Sequence, residues 1–178
     1  MSVPTRILLA CTILVVAVHL AFSAIVYGDL PARIPTHFNA AGVPDGFCAR
    51  SNWWLLPMIN VASAALTIGV ALVLPSRPDL LNLPSKPEIL ALPRDAQIAV
   101  VRTAQPGLLM LSLIVAGTFL FLQYATWKVT QGRTTTGIGN LILIVPIVTI
   151  AVLPAMLVPV NRELRRQQAA LAAASPRR

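Results

Sequence analysis

Four long stretches without a formal charge constrain this chain more than any other feature of its sequence. They cover residues 7–27, 53–74, 106–127 and 137–160. A helix needs roughly 20 apolar residues to cross a bilayer core of about 30 Å, and each stretch is long enough. Backbone polar groups must be satisfied internally in hydrocarbon, which favours helices over irregular segments. The sequence therefore predicts four transmembrane helices.

Composition supports a single membrane domain. Only 11% of the 178 residues are charged, whereas a soluble domain carries about 25%. So few charges cannot cover the surface of a soluble protein of this size. The first stretch is also longer than the core of a signal peptide, which is about 7–15 residues, and we expect it to be retained. The prediction is one all-α integral membrane domain over residues 1–178.

The distribution of basic residues predicts the orientation of these helices. Residues 1–6, the 75–105 loop and the 161–178 tail together hold ten Lys and Arg residues, and the remaining four lie in the 28–52 loop and between the last two helices. Basic residues concentrate in cytoplasmic segments, so both termini and the 75–105 loop are predicted to be cytoplasmic. The 28–52 loop is then the outer loop. The net charge of +8 reflects this topology, and no aromatic or groove-reading element accompanies it to indicate a nucleic-acid partner.

The outer loop is the most informative polar segment. Pro31 and Pro35 favour extended backbone around them, and residues 39–42 and 43–46 are typical of turns. The pattern predicts a short, ordered loop that folds back over the helix ends. Its apolar side chains are expected to form a small cluster of their own: Ile34, Phe38 and Phe47.

Ten residues of this loop form a recognisable pattern: Pro31, Ile34, Pro35, His37, Phe38, Asn39, Gly42, Pro44, Asp45 and Gly46. In order and spacing they resemble the signature of the domain-of-unknown-function family numbered 1648. The resemblance covers about the first third of the chain and implies a multi-pass protein of the bacterial cytoplasmic (plasma) membrane. The motif also forms the front part of sporulation-delay toxin-immunity proteins, so the resemblance implies an immunity or signalling role as one alternative.

His37, Asn39 and Asp45 are the candidate ligands of a metal in this loop. A stable site usually needs three or four good ligands, and this set offers two and a weak amide. We therefore expect His37 and Asn39 to hydrogen-bond the backbone of their own loop. The chain also shows no nucleophile–base pattern and no phosphate-binding loop. The prediction is a non-catalytic protein without a cofactor.

Polar residues inside the predicted spans are costly in lipid and call for a role. His19 in the first span and Asn60 in the second are the main candidates, since Gln123 and Asn140 lie nearer the ends of their spans. We predict that His19 is neutral and hydrogen-bonded to a neighbouring helix, while a proton or pigment role stays open. No Asp, Glu, Lys or Arg lies inside a span, which argues against ion-coupled transport.

Small residues form candidate packing faces on the first two spans. They are Ala17, Ala21, Ala24, Gly28, Ala65 and Gly69. Such residues let helices approach closely, either in a tightly packed monomer or against a partner. We predict an accessory or structural subunit that is surrounded by lipid and packs against other membrane proteins or against itself.

Overall fold

The computed structural model describes residues 1–39, 43–80, 82–83, 85–133 and 138–174, with the side chains of 138–149 and 153 left aside. Helices dominate these ranges. The elements are α1 (Val3–Val26), β1 (Arg33–Phe38), β2 (Pro44–Ala49), α2 (Leu55–Val73), α3 (Lys86–Leu90), α4 (Arg94–Arg102), α5 (Gln105–Thr130) and α6 (Ile138–Ala174). Short 3-10 turns lie at Tyr27–Asp29, Arg50–Trp54 and Pro78–Leu80.

Three helical segments are long and apolar enough to cross a membrane. They run from Val3 to Asp29, from Arg50 to Val73, and from Arg94 to Thr130. These segments contain the first and third predicted spans and all but the last residue of the second, so a mostly helical protein compatible with several membrane crossings is confirmed. The fourth span was predicted to begin at Gly137, which lies outside the described residues. That crossing and the inward orientation of both termini stay predictions.

Helices α1, α2 and α5 pack against one another, and α5 also contacts α6. The residues that each helix buries recur at intervals of seven, as in a coiled coil. In α1 they are Thr5, Thr12, His19 and Val26; in α2, Pro57, Ala64 and Ala71; in α5, Leu109, Ala116 and Gln123. Small residues at several of these positions allow the backbones to approach closely.

The interior of this three-helix bundle is polar and its exterior is apolar. The buried polar residues are Thr5, Thr12, His19, Ser23, Asn60, Gln105, Ser112 and Gln123, all at most 4% exposed. Large apolar side chains face outwards instead, including Leu14, Ile25 and Leu66, which are at least 62% exposed. A soluble bundle shows the reverse arrangement. The surface of the bundle therefore suits lipid, and its inner faces can be joined by hydrogen bonds.

Apolar clusters close the two ends of the bundle. The hairpin-side cluster consists of Val26, Leu30, Ile34 and Trp53. The loop-side cluster consists of Leu74, Ile89, Leu92, Val100, Val101, Ala104, Val160 and Leu164. The second cluster packs the 75–105 loop against α6. Both clusters lie where the chain leaves the apolar helices.

The 75–105 loop is ordered by polar contacts as well. The Arg77 guanidinium bonds the Asp79 carboxylate at 2.9 Å, and this hydrogen bond holds the pKa of Asp79 below its ordinary value. At the far end of α6, Gln168 Nε2 donates to Glu88 Oε2 at 3.2 Å. These contacts connect the loop internally and to α6.

Two details differ from the sequence-based fold. The all-α prediction is wrong for the outer loop, where β1 and β2 pair as an antiparallel hairpin. The 161–178 segment was predicted as a tail, yet α6 continues without a break to Ala174. Glu, Leu, Arg, Gln and Ala are strong helix formers, and the burial of Val160 and Leu164 anchors the start of this extension.

Candidate functional site

The outer hairpin carries the family-like residues in a defined register. Ile34 pairs with Cys48, and Pro35 pairs with Phe47. Beyond Pro35 the ladder is irregular, and His37 then faces Gly46. Pro35 has no N–H to donate, and a two-stranded ribbon has outer edges on both strands where a proline is tolerated. The proline-rich motif therefore forms a short hairpin.

His37, Asp45 and Gly46 form one contact within the hairpin. His37 Nδ1 lies 2.5 Å from Asp45 Oδ1, and the two side chains are 72% and 45% exposed. Water screens such an exposed pair, so its contribution to stability is small. A Cβ atom on Gly46 would lie 2.8 Å from His37 Cβ, too close without a shift of the strands. Glycine at this position therefore lets the strands approach beside His37.

The turn of the hairpin is closed by Asn39. Its backbone N–H donates to Val43 O at 2.9 Å, and Val43 N–H donates to Asn39 Oδ1 at 3.0 Å. The backbone hydrogen bonds predicted for this loop are thus present at Asn39, whereas the His37 side chain bonds Asp45. Gly42, another residue of the motif, lies outside the described residues.

The base of the hairpin is anchored on the helix ends. Ile34 is 2% exposed and belongs to the hairpin-side cluster, while Phe47 is 49% exposed. The separate apolar cluster predicted for the loop is therefore wrong, because Ile34 packs onto α1 and Trp53 instead. Arg50 N–H also donates to Ala32 O at 3.0 Å. The remaining motif residues lie along the strands or just before them: Pro31 is exposed, Pro35 buried, and Phe38 and Pro44 half-buried.

Trp53 connects the three packed helices directly beneath the hairpin. Its indole Nε1 donates to Ser23 O on α1 at 3.0 Å. Its own carbonyl accepts a hydrogen bond from Gln123 Nε2 on α5 at 3.1 Å. The ring packs beside Phe22, with centroids 6.4 Å apart. With 2% exposure, Trp53 lies in the interior of the helix bundle.

His19 and Asn60 meet one layer deeper. Both are fully buried, and Asn60 Nδ2 lies 2.8 Å from His19 Nδ1. The same Nδ2 donates to Ala116 O at 3.3 Å. The two residues chosen from the sequence therefore contact each other, and the contact joins α1, α2 and α5.

Gln105 and Ser112 are among the polar residues of the interior that sequence reasoning missed. Gln105 Nε2 donates to Ala71 O at 2.7 Å across the α5–α2 interface, and Ser112 is 3% exposed. The two residues are seven positions apart, as are Leu109, Ala116 and Gln123. This heptad spacing in α5 was the available signal.

The small-residue face of α1 does not contribute to the interior. Ala17, Ala21, Ala24 and Gly28 are all exposed, and a Cβ on Gly28 would meet nothing within 4 Å. On α2, Ala65 is exposed and Gly69 is half-buried. These two line an open apolar groove of about 450 Å³. The six residues thus lie outside the packing of the described helices.

The described part of the chain can be compared with the metal-ligand set considered from the sequence. No three His, Cys, Asp or Glu side chains there come together in a group that could hold a metal ion. Cys48 is exposed and accepts a hydrogen bond from Thr36 Oγ1 at 3.3 Å, and Cys11 is half-buried in α1. The polar groups of the interior serve mainly to connect helices.

Comparison with known proteins identifies a family and one relative of this chain. The model of a family described as a domain of unknown function (DUF1648) matches residues 13–61, which include most of α1, the hairpin and Asn60. An uncharacterised protein from the archaeon Archaeoglobus fulgidus is 30% identical over 158 residues, covering 85% of this chain and 82% of the relative. No solved structure matches the chain. The family match over residues 13–61 and the 30% identity to a relative along 85% of the chain show that this chain belongs to the DUF1648 family.

Proposed function

We propose that this chain is a non-catalytic subunit of the plasma membrane that packs against another membrane protein, or against a second copy of itself. The observation that carries the proposal is the exposure of the small-residue face of α1. Ala17, Ala21, Ala24 and Gly28 are exposed, while the opposite face of the same helix is buried. The described helices pack against one another without this face.

The physical reason lies in how helices associate in lipid. The hydrophobic effect gives little drive for association there, because lipid tails are as apolar as leucine. Close backbone approach at small residues supplies van der Waals contact instead. The empty surroundings of Gly28 leave room for a neighbouring backbone. The α1 face therefore offers the kind of surface on which a second transmembrane helix packs.

The polar interior supports a structural rather than a catalytic role. Asn60, Gln105 and Gln123 each donate to a backbone carbonyl of a neighbouring helix. Such contacts connect the helices to one another. A subunit whose polar residues maintain its own shape is well suited to present a fixed surface to a partner.

We expect that replacing both Ala21 and Ala24 with leucine abolishes assembly, because the added side chains hold the neighbouring helix away from α1. The tagged full-length protein would be extracted from native membranes in a mild detergent. The size of its complex and the stoichiometry of the subunits would then be measured. A second copy carrying a different tag detects self-association in the same experiment.

The matched control replaces Ala151 and Ala155 on α6 with leucine. Both are exposed alanines on one side of a long helix, so the added volume is the same. This variant should keep the wild-type complex. The proposal is contradicted if the wild type migrates alone, or if the Ala21 and Ala24 variant assembles normally.

One observation favours a second candidate function, which is toxin immunity or signalling through the hairpin. Val43 is 55% exposed and Phe47 49% exposed, so the hairpin presents apolar side chains next to the exposed His37–Asp45 pair. A peptide outside the cell could bind this combination of apolar and polar groups. The resemblance of the motif to sporulation-delay immunity proteins points the same way.

For this second function, deletion of the gene should sensitise cells to a secreted peptide. Phe47→Ala and His37→Ala should then weaken protection without changing the amount of protein in the membrane. Leu80→Ala is the control, since Leu80 is 58% exposed at the opposite end of α2. Unaltered sensitivity of the deletion strain would rule out the immunity role.

A further inference from the structure

Two open cavities adjoin each other at the loop-side end of the helix bundle. Their volumes are about 350 Å³ and about 570 Å³, and Met1, Arg102 and Gln105 line both of them. The end of α2 and α4 complete the wall of the smaller cavity. The start of α5 and α6 complete the wall of the larger one. Several segments of the chain therefore converge around Arg102.

The cavities lie at the level where the uncharged stretches of the sequence begin and end. Leu72, on the wall of the smaller cavity, lies two residues before the end of the second stretch. In the larger cavity, Pro106 begins the third stretch and Pro159 lies one residue before the end of the fourth. A helix that crosses a bilayer leaves the hydrocarbon where its apolar stretch ends. The cavities are therefore at the depth where lipid headgroups meet the acyl chains.

Arg102 supplies positive charge to both cavities. It is exposed, and its guanidinium forms no hydrogen bond or ion pair with the part of the chain that the structure describes. A second guanidinium is close by, since Arg94 Nη2 donates to the backbone oxygen of Ser76 on the wall of the smaller cavity. Among the described residues that line the two cavities there is no Asp or Glu. The positive charge is therefore available to an anion.

One face of α4 combines this charge with an apolar side chain. Arg94, Ile98 and Arg102 follow one another at intervals of four residues, so they lie on the same side of the helix. Ile98 and Arg102 both line the smaller cavity. Val100, on the opposite side of α4, is fully buried in the loop-side cluster. The buried side holds α4 in place and leaves the Arg94–Arg102 side at the cavity.

We propose that these cavities bind one anionic phospholipid, with its headgroup phosphate on Arg102. A guanidinium binds phosphate oxygens through two parallel hydrogen bonds. Leu72, Ile98 and Pro159 provide apolar surface for the glycerol and for the first part of the acyl chains. Basic pockets between transmembrane helices bind anionic headgroups by the same combination of charge and apolar surface.

The lining selects an anionic lipid over the other available headgroups. A zwitterionic phospholipid carries an ammonium group, and the described lining offers no carboxylate to bind it. A free phosphate ion would use the charge of Arg102 but would leave the apolar walls in contact with water. A phospholipid satisfies both parts of the site, because its charge and its acyl chains meet at this depth of the bilayer.

The test uses the full-length protein, freed of lipid in detergent and titrated with phosphatidylglycerol or with phosphatidylcholine of the same acyl chains. Native mass spectrometry counts the bound lipids and gives the dissociation constant of the first one. We expect the wild type to bind phosphatidylglycerol more tightly than phosphatidylcholine. Arg102→Gln should weaken the first phosphatidylglycerol by about fivefold, the effect of one basic residue on an anionic lipid, and should remove the preference.

A second variant tests the same site with Arg102 unchanged. Ser76→Glu places a carboxylate on the wall of the smaller cavity, so phosphatidylglycerol should again bind more weakly. Ser76 is exposed, and circular dichroism checks that the helices are kept. Arg165→Gln is the matched control, because it removes the same charge from an exposed position on α6 that lines neither cavity. This control should bind phosphatidylglycerol as the wild type does.

Three results would overturn the proposal. The first is equal affinity of the wild type for the two lipids. The second is an equal loss in the Arg102 and Arg165 variants, which would show a general effect of surface charge. The third is displacement of phosphatidylglycerol by inorganic phosphate when chloride at the same ionic strength displaces none, which would assign the site to a free anion.

Discussion

Replacement of Trp53 by alanine should lower the free energy of unfolding by about 3–5 kcal/mol, the range for a buried aromatic side chain. The side chain is 2% exposed and is the largest in the interior. It packs in the hairpin-side cluster and donates to Ser23 O, and alanine supplies neither contact. Unfolding by denaturant in mixed lipid–detergent micelles, followed by circular dichroism, measures the loss.

Two companion variants separate volume from hydrogen bonding. Trp53→Phe keeps most of the ring and loses the donor, so we expect a loss of about 0.5–1.5 kcal/mol. Trp54→Ala removes a half-buried neighbour that contacts Tyr27 at 5.8 Å between centroids, for which about 0.5–1.5 kcal/mol is expected. Equal losses for Trp53→Ala and Trp54→Ala would contradict the central position assigned to Trp53.

Replacement of Asn60 by leucine should cost about 1–3 kcal/mol, because His19 Nδ1 is then buried without a donor. Asn60 bonds His19 on α1 and Ala116 on α5, so one substitution removes both inter-helix contacts. Measured inter-helix hydrogen bonds in membranes average about 0.6 kcal/mol and reach about 1.7. The same unfolding assay applies.

A double-mutant cycle tests whether the loss arises at this contact. Replacing both His19 and Asn60 by leucine removes both polar partners and should cost less than the sum of the two single changes. Thr67→Val is the control on α2. Thr67 Oγ1 donates to Ser63 O at 2.8 Å within its own helix, so a change below about 0.5 kcal/mol is expected. Additive losses at His19 and Asn60 would show that the two residues act independently.

The helical part of the fold could be predicted from the sequence because its signal is local. An uncharged stretch such as 7–27 has one satisfactory solution in lipid, which is a helix. The contact between His19 and Asn60 was only half predictable. Each residue is conspicuous in an apolar stretch, but the choice of partner depends on how the helices are rotated. All three helices bury residues at intervals of seven. Comparing these residues in α1, α2 and α5 indicates which face of each helix points inwards.

The hairpin could not be predicted because its local signals conflict. Proline within a run argues against a strand, and Pro44 to Gly46 has the composition of a turn. These residues are nevertheless part of β2. In a two-stranded sheet each strand has one free edge, where a missing N–H donor is tolerated. Ile34 and Pro35 are adjacent and both buried, which breaks the alternation expected of a strand. That burial results from packing onto the helix ends, and a pattern within the loop cannot reveal it.

The two apolar end clusters and the polar interior of this small protein suit different solvents: water at the ends and hydrocarbon around the middle. At its ends, side chains are driven together by exclusion of water, so temperature and denaturant should act there as they do on a soluble core. When the middle of the bundle lies in a bilayer, the competing solvent there is hydrocarbon, and hydrogen bonds and close contact hold the helices together. The composition and thickness of the surrounding bilayer affect that region directly. The packing of the helices in the middle of the bundle can therefore vary with the membrane, while the two apolar end clusters stay packed.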